Sequence, residues 1–213
     1  MQHLQQLDVL LLTHEDWDHY SKGATVSIQS RTDAVVVVNP GVYSSLAGSI
    51  PSDKLVKMKS TESTTVSGVQ ITALASIHPT NEPLTFFIDL GGFRVFHGSD
   101  SGFNSALTNY KGQAKLAIVP TGGPSPSASP EDALDMVKAI EPTDVIPMHG
   151  TETENNQLGA LLAEQVLSVH YIRPQPLSTV AVSELSETVL VLLSSMMAFS
   201  CLVRWRSGKD TRA

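Results

Sequence analysis

Leu10 to Tyr20 reads LLLTHEDWDHY. An apolar run, Val9 to Leu12, ends in this stretch, and His14, Glu15, Asp16, Asp18 and His19 follow within six positions. A short apolar run closing on polar residues predicts a buried strand over Asp8 to Thr13 that feeds a turn. Neutral imidazoles and anionic carboxylates are the ligands that divalent first-row metals prefer, and a turn can aim several of them at one point. A solvated acidic loop would explain the three carboxylates but not the histidine at each end of them. The turn therefore reads as half of a metal site.

The rest of the chain bounds what that site can serve. With 213 residues, 41% hydrophobic and 16% charged, the chain is long and apolar enough for one substantial core. A formal net charge of −7 argues against general affinity for nucleic-acid phosphates, although bound metal would supply local positive charge that this count omits. Cys201 is the single cysteine, which excludes an internal disulfide framework and fits a reducing compartment. The start, MQHLQQLDVLLL, lacks the basic, apolar and small-residue regions of a secretory signal, so a cytoplasmic location is expected.

Beyond the ligand-rich turn, Ser21 to Gln29 is a weak helix candidate, because Gly23, Thr25 and Val26 are poor helix formers. Ala34 to Val38 has no alternation and reads as a strand buried on both faces, stopped by Asn39-Pro40-Gly41. A short helix is expected over Tyr43 to Ala47, and strands over Leu55 to Lys59 and Val69 to Ala75, the latter running into Ser76-Ile77-His78-Pro79. Leu84 to Leu90, Gly91-Gly92 and Phe93 to His97 form the clearest hairpin, since two glycines suit the positive backbone angles of a tight turn. Lys115 to Val119 is a further strand, and Pro120 to Pro130 is either a mobile lid or a plain connector. Ser129-Pro130-Glu131-Asp132 starts a helix to about Ile140, Asp144 to Met148 is a strand delivering His149, and Asn155 to Val166 is a helix. Strands that repeatedly end in His or Asp before a turn are the pattern that matters, because sites in layered α/β folds form where loops leave strand ends. Thr188 to Val203 is an apolar stretch too short and too interrupted by serines to be a good membrane span; an added helix or an appended tail is expected, and any membrane contact rests on 188–203 alone.

Taken together, these residues resemble the metallo-β-lactamase superfamily. THEDWDH is similar to that family's HxHxDH signature, ASIHP to the motif carrying His78, GGFRVFHGSDSG to the strand and turn carrying Asp100, and DVIPMHG to the final motif with His149. LAIVPTGGP before PEDALDMVKAIEP is most similar to the broad branch of Zn-dependent hydrolases that includes ascorbate-phosphate lactonases and N-acyl phospholipases. The resemblance spans about Asp8 to Pro174 and implies an α/β fold, a four-layer αββα sandwich over residues 1–174, followed by a C-terminal extension over 175–213. It also implies two divalent metal ions. His14, Asp16 and His78 would hold the first, Asp18, His19 and His149 the second, and Asp100 would bridge them. A water or hydroxide between the metals would attack a carbonyl or phosphoryl centre, with Asp18 or Asp100 orienting it.

Three departures from the family pattern bear on chemistry. Asp16 stands where the signature usually has its second histidine; three aspartates in place of two make the site harder and shift the expected metal from Zn toward Mn or Fe. Ser99 occupies a turn position where glycine is usual, which affects the aim of Asp100. The signature also comes thirteen residues after the start, so the N-terminal strands usual in the family are expected to be lacking, leaving edges for the C-terminal tail or a partner subunit, as in a homo-oligomer, to cover, unless the sequence is a fragment of a longer chain. His97 reads either as a donor supporting the site or as a satisfied buried histidine, Trp17 as packing beside the site or shaping a pocket, and Glu15 as facing solvent. No serine lies in a GxSxG context, so serine-nucleophile chemistry is not indicated. The sequence thus predicts a metal-dependent hydrolase of a small ester, lactone or phosphodiester, with a non-catalytic binding module of the same fold as the alternative.

Overall fold

The structure, a computed structural model, describes residues 6–123, 125–165 and 168–173, together with short strands at 180–181, 190–192 and 201–204. Two mixed sheets face each other. The first contains β1 (Val9–Leu12), β2 (Val35–Val38) and β3 (Leu55–Lys57), all parallel neighbours. The second contains β4 (Ser63–Val66), β5 (Val69–Ala75), β6 (Leu84–Leu90), β7 (Phe93–His97), β8 (Leu116–Pro120), β9 (Asp144–Met148) and β10 (His170–Tyr171), in the order β10-β9-β8-β7-β6-β5-β4. Helices α1 (Lys22–Thr32) and α2 (Pro40–Leu46) belong with the first sheet, α3 (Pro130–Ile140) and α4 (Glu152–Gln165) with the second.

The layers follow from which face each apolar residue takes. Val9, Leu11 and Val37 join Ile71, Ala73, Phe86, Ile88 and Ile118 in the core between the sheets. Their neighbours Leu10, Leu12, Val36 and Val38 point the other way and pack with Ile28, Val42 and Leu46 of α1 and α2. On the far side Phe87, Phe96, Ala117, Val119 and Val145 pack with Leu134, Met136, Val137, Leu158 and Leu162 of α3 and α4. Successive strand residues face opposite sides, so a strand between two apolar layers must be apolar at every position, as VLLL and VVVV are. Each fully buried Leu, Ile or Phe contributes about 1.5–3 kcal/mol. This is the expected αββα sandwich.

Several elements extend or amend the sequence reading. Helix α1 forms despite its poor composition because Ser21 caps its start and Asp33, in the left-handed region with φ 56°, takes its last turn. Helix α2 begins earlier than predicted, with Asn39 as its cap and Pro40 at its first position: the residues that stop β2 also start the helix. The polar strand β4 has no apolar signature, since it is an edge strand joined to β5 through Ser67-Gly68, both at positive φ. Of the apolar stretch expected as a helix or tail, the described residues are strands, β12 (Leu190–Leu192) and β13 (Cys201–Arg204). With β11 (Val180–Ala181) they pair antiparallel in succession, and β13 pairs along β1 opposite β2. The remainder of 174–213 and His3 lie outside the described residues. Among the described residues no helix is long and apolar enough to cross a membrane.

Candidate metal centre

Strand direction assembles the site. Antiparallel pairing of β5 with β6 and of β6 with β7 makes β5 and β7 run the same way, and β8 and β9 are parallel to β7. His78 follows β5, Asp100 follows β7 and His149 follows β9, so all three leave the same edge of the second sheet. The first sheet meets that edge where Leu84 N donates to Thr13 O at 3.0 Å, which brings the turn after β1 onto it.

All seven residues singled out in the sequence lie together here. Asp18, His19, Asp100 and His149 form one group, and His14, His78 and Asp100 another, with ligand atoms in each within 4.8 Å of one another. In the first group Asp100 Oδ1 lies 2.9 Å from His19 Nε2, Asp100 Oδ2 lies 3.1 Å from His149 Nε2, and Asp18 Oδ2 lies 3.7 Å and 3.4 Å from the same two nitrogens. In the second, His14 Nε2 lies 4.0 Å from Asp100 Oδ2. Asp16 joins this second group, its Oδ2 being 3.0 Å from His78 Nε2 and 3.6 Å from His14 Nε2.

These separations suit a metal. Two ligand atoms each about 2.1 Å from a tetrahedral ion stand about 3.4 Å apart. Two nitrogens carry the same message. His149 Nδ1 donates to the Gly122 carbonyl at 3.1 Å, so in the neutral ring Nε2 is an acceptor, yet it faces two carboxylate oxygens. A cation or a proton is needed between them. His14 Nε2 is buried without a hydrogen-bond partner, while its Nδ1 lies 2.9 Å from Thr13 Oγ1 and 3.5 Å from Ser99 Oγ. Burial, reinforced by repulsion from His19, lowers the His14 pKa to about 4, which keeps this imidazole neutral and able to ligate at pH 7. Burial also works against charge on His19, but contact with Asp100 and the charges of Asp100, Asp18 and Asp16 outweigh it and raise its pKa. For Asp100 burial pushes upward and is overcome by His19, His149 and His14, leaving its pKa lowered.

The supporting residues were largely not singled out in the sequence. Ser99 adopts φ 53° and His149 φ 52°, left-handed conformations that a non-glycine residue takes at a cost of about 1–2 kcal/mol. Ser101 Oγ accepts from Ile77 N at 2.7 Å, and Ser125 Oγ donates to Asp100 O at 2.8 Å, tying the loops that carry His78 and Asp100. Glu15, read as solvent-facing, instead accepts from Asn39 Nδ2 at 3.0 Å and Asn81 N at 3.1 Å and binds the ligand turn to its neighbours. Glu154 accepts from Thr151 N and from Gly123 N, at 2.7 and 3.0 Å, and so anchors the Gly122 carbonyl that His149 needs. The spacing Thr151-x-x-Glu154 is a capping box, a signal that could have pointed to it. His97 is buried and its Nδ1 accepts from Ser99 N at 3.2 Å, inside the turn that aims Asp100.

An αββα sandwich with a His- and Asp-lined centre at the strand ends defines the class of metallo-β-lactamase-fold proteins. The chain belongs to the Beta-lactamase superfamily domain family, whose pattern matches residues 1–150. A UPF0173 protein of Pyrococcus abyssi is 35% identical over 150 residues, covering 68% of either chain. A UPF0173 metal-dependent hydrolase of Polaromonas sp. is 27% identical over 183 residues, covering 72% of this chain and 67% of its own. Among solved structures the fold is similar to the metallo-β-lactamase fold protein YhfI of Bacillus subtilis, with a TM-score of 0.61 and 15% identity over 79% of this chain and 75% of that one. It is also similar to CmlA, a diiron β-hydroxylase of Streptomyces venezuelae, with a TM-score of 0.66 and 15% identity over 79% of this chain and 44% of that one.

Proposed function

We propose that this chain is a metal-dependent hydrolase of a small ester, lactone or phosphodiester, holding two divalent ions: one by His14, Asp16 and His78, the other by Asp18, His19 and His149, with Asp100 shared. The observation that carries the reading is the position of Asp100, whose carboxylate faces His14, His19 and His149 at once. Curated relatives that bear the name metal-dependent hydrolase support the reaction class. Two cations at such a site lower the pKa of water toward neutrality and polarise the substrate oxygen. Asp100, nearly fully buried and faced by three histidines, serves as a ligand and keeps its negative charge. Asp18, with 22% of its side chain exposed, is the carboxylate placed to orient water and to take its proton.

Asp16 adds a third carboxylate to the set and favours Mn or Fe over Zn. In proteins of the same fold, CmlA is described as a diiron enzyme and PqqB of Methylobacterium extorquens as Zn-bound, so either metal is compatible with the scaffold. A small-molecule substrate and a cytoplasmic setting go with this reading, given the net charge of −7 and the single Cys201. Elemental analysis of purified protein tests it, alongside turnover of an ester and a phosphodiester reporter. About two metals per chain, with turnover lost in His149→Ala, is the expected result. Folded protein that takes up no metal when Mn, Fe or Zn is supplied overturns it.

A further inference from the structure

Asn39 joins three segments around the metal centre. It follows the last residue of β2, caps α2 and is fully buried. Its Oδ1 accepts from Val42 N at 3.1 Å, which is the capping bond. Its Nδ2 donates to Glu15 Oε2 at 3.0 Å and to the carbonyls of Asn81 at 2.8 Å and Glu82 at 3.4 Å. Glu15 stands between the candidate ligands His14 and Asp16, and Asn81 and Glu82 lie in the loop that carries His78. Capping alone does not account for this residue. Asp and Ser cap a helix about as well as Asn, but Asp carries no donor and Ser only one, whereas the acceptors around Nδ2 use both hydrogens of an amide.

Glu15 closes the same circuit from the other side, its Oε1 accepting from Asn81 N at 3.1 Å. Gly41 makes the space for that carboxylate: a Cβ there would lie 2.5 Å from Glu15 Oε2, although the φ of Gly41 lies outside the left-handed region and is open to any residue. The ligand turn and the His78 loop also meet at their base, where Leu84 N donates to Thr13 O, and at the site, where Asp16 Oδ2 lies 3.0 Å from His78 Nε2. The circuit adds to these a tether rooted in a buried side chain. Lys59 faces Glu82 at 4.0 Å, but both side chains are about half exposed and such a pair holds little. The tether acts on the backbone: it sets how far the turn carrying His14 and Asp16 stands from the loop carrying His78, and it leaves the His78 ring to the metal.

We propose that Asn39 and Glu15 are positioning residues for the half of the centre built from His14, Asp16 and His78, holding the ligand turn and the His78 loop at the separation its metal requires. This rests on the two-metal hydrolase reading and deepens it. Titration of the metal-free full chain with Co²⁺, followed by its visible absorption, tests it. Asn39→Asp keeps the capping acceptor but sets a carboxylate against Glu15 and two carbonyls. It is expected to weaken one equivalent of Co²⁺ about tenfold and to change its absorption band, the equivalent that Asp16→His also alters, with the other unchanged. Adding Glu15→Gln supplies an amide donor to that carboxylate and is expected to recover part of the loss. Gly41→Ala removes no hydrogen-bonding group and favours the helix. It is expected to weaken the same equivalent by displacing Glu15, while the Tm of the metal-free protein stays the same or rises. An equal loss of both equivalents that tracks a lower Tm of the metal-free protein makes the two residues supports of the fold alone and overturns the inference. So does a loss confined to the other equivalent, or an unchanged titration in Asn39→Asp and Gly41→Ala. The expected split without turnover of an ester or phosphodiester reporter supports the positioning role and refutes the hydrolase reading. Folded, unaltered protein that binds no Co²⁺ overturns both.

Discussion

His149 and His78 offer the same kind of nitrogen to opposite halves of the centre, but their surroundings differ. His149 is held through Nδ1 by the Gly122 carbonyl, and that carbonyl sits in a loop pinned by Glu154. His78 has its Nδ1 buried without a hydrogen-bond partner, and it leans on Asp16, the more exposed of the site's carboxylates. A ligand whose far nitrogen is anchored is oriented before metal arrives; one without that anchor must be ordered by the metal itself. On the proposed two-metal reading, the half built from Asp18, His19 and His149 is therefore expected to bind metal first and more tightly, and the half containing Asp16 to fill second.

The largest expected effect erases the comparison altogether. Asp100 belongs to both groups of candidate ligands, so on the proposed reading Asp100→Asn is expected to reduce metal content to one ion or fewer and hydrolysis by at least ~10³-fold, checked by elemental analysis and reporter turnover on the same preparation.

Acid separates the halves through His14 and His19. His14 has its folded pKa lowered to about 4 from 6.5, so the metal-free protein loses stability as pH falls through that window, by about 3 kcal/mol at most. His19 has the opposite sign: its folded pKa is raised, so its contribution is full below 6.5 and is lost as pH rises through the folded value. Thermal unfolding in excess chelator should fall away on both sides of pH 6.5, with His14→Asn flattening the acid limb and His19→Asn the alkaline limb.

Asp16→His sharpens the comparison by giving the second half a nitrogen donor. Its Zn-to-Mn affinity ratio in competition dialysis should rise by at least ~10-fold, with the His149 half unchanged. The smallest effect concerns support. Glu154→Ala frees the Gly122–Gly123 loop and should weaken the tighter metal about tenfold, with Glu154→Gln recovering part of it because the amide oxygen still accepts from Gly123 N. Loss of the weaker metal instead would reverse the ranking of the two halves.

Much of this was legible before the tertiary structure. The uninterrupted apolar strands β1, β2 and β8 announce burial on both faces, and the Gly91-Gly92 hairpin falls where its glycines put it. Strand β4 was not legible, because it is a polar edge strand without a local signal, and α1 was legible only weakly, because it has no clear apolar face and depends on its caps. The seven site residues were chosen for their chemistry and their place after strands, but Glu15, Glu154 and Ser99 act through partners 24, 31 and 85 residues away.

The chain by itself determined the donor types, their order and the strands that carry them, because ligand chemistry and hydrophobic periodicity are written locally. Only the tertiary structure decided that Asp100 faces both groups, that His149 Nδ1 is anchored while His78 Nδ1 is not, and that Trp17 stands in solvent instead of packing beside the site. Each of these depends on parallel strand directions and loop-to-loop hydrogen bonds between segments far apart in sequence, and no local pattern encodes such distances.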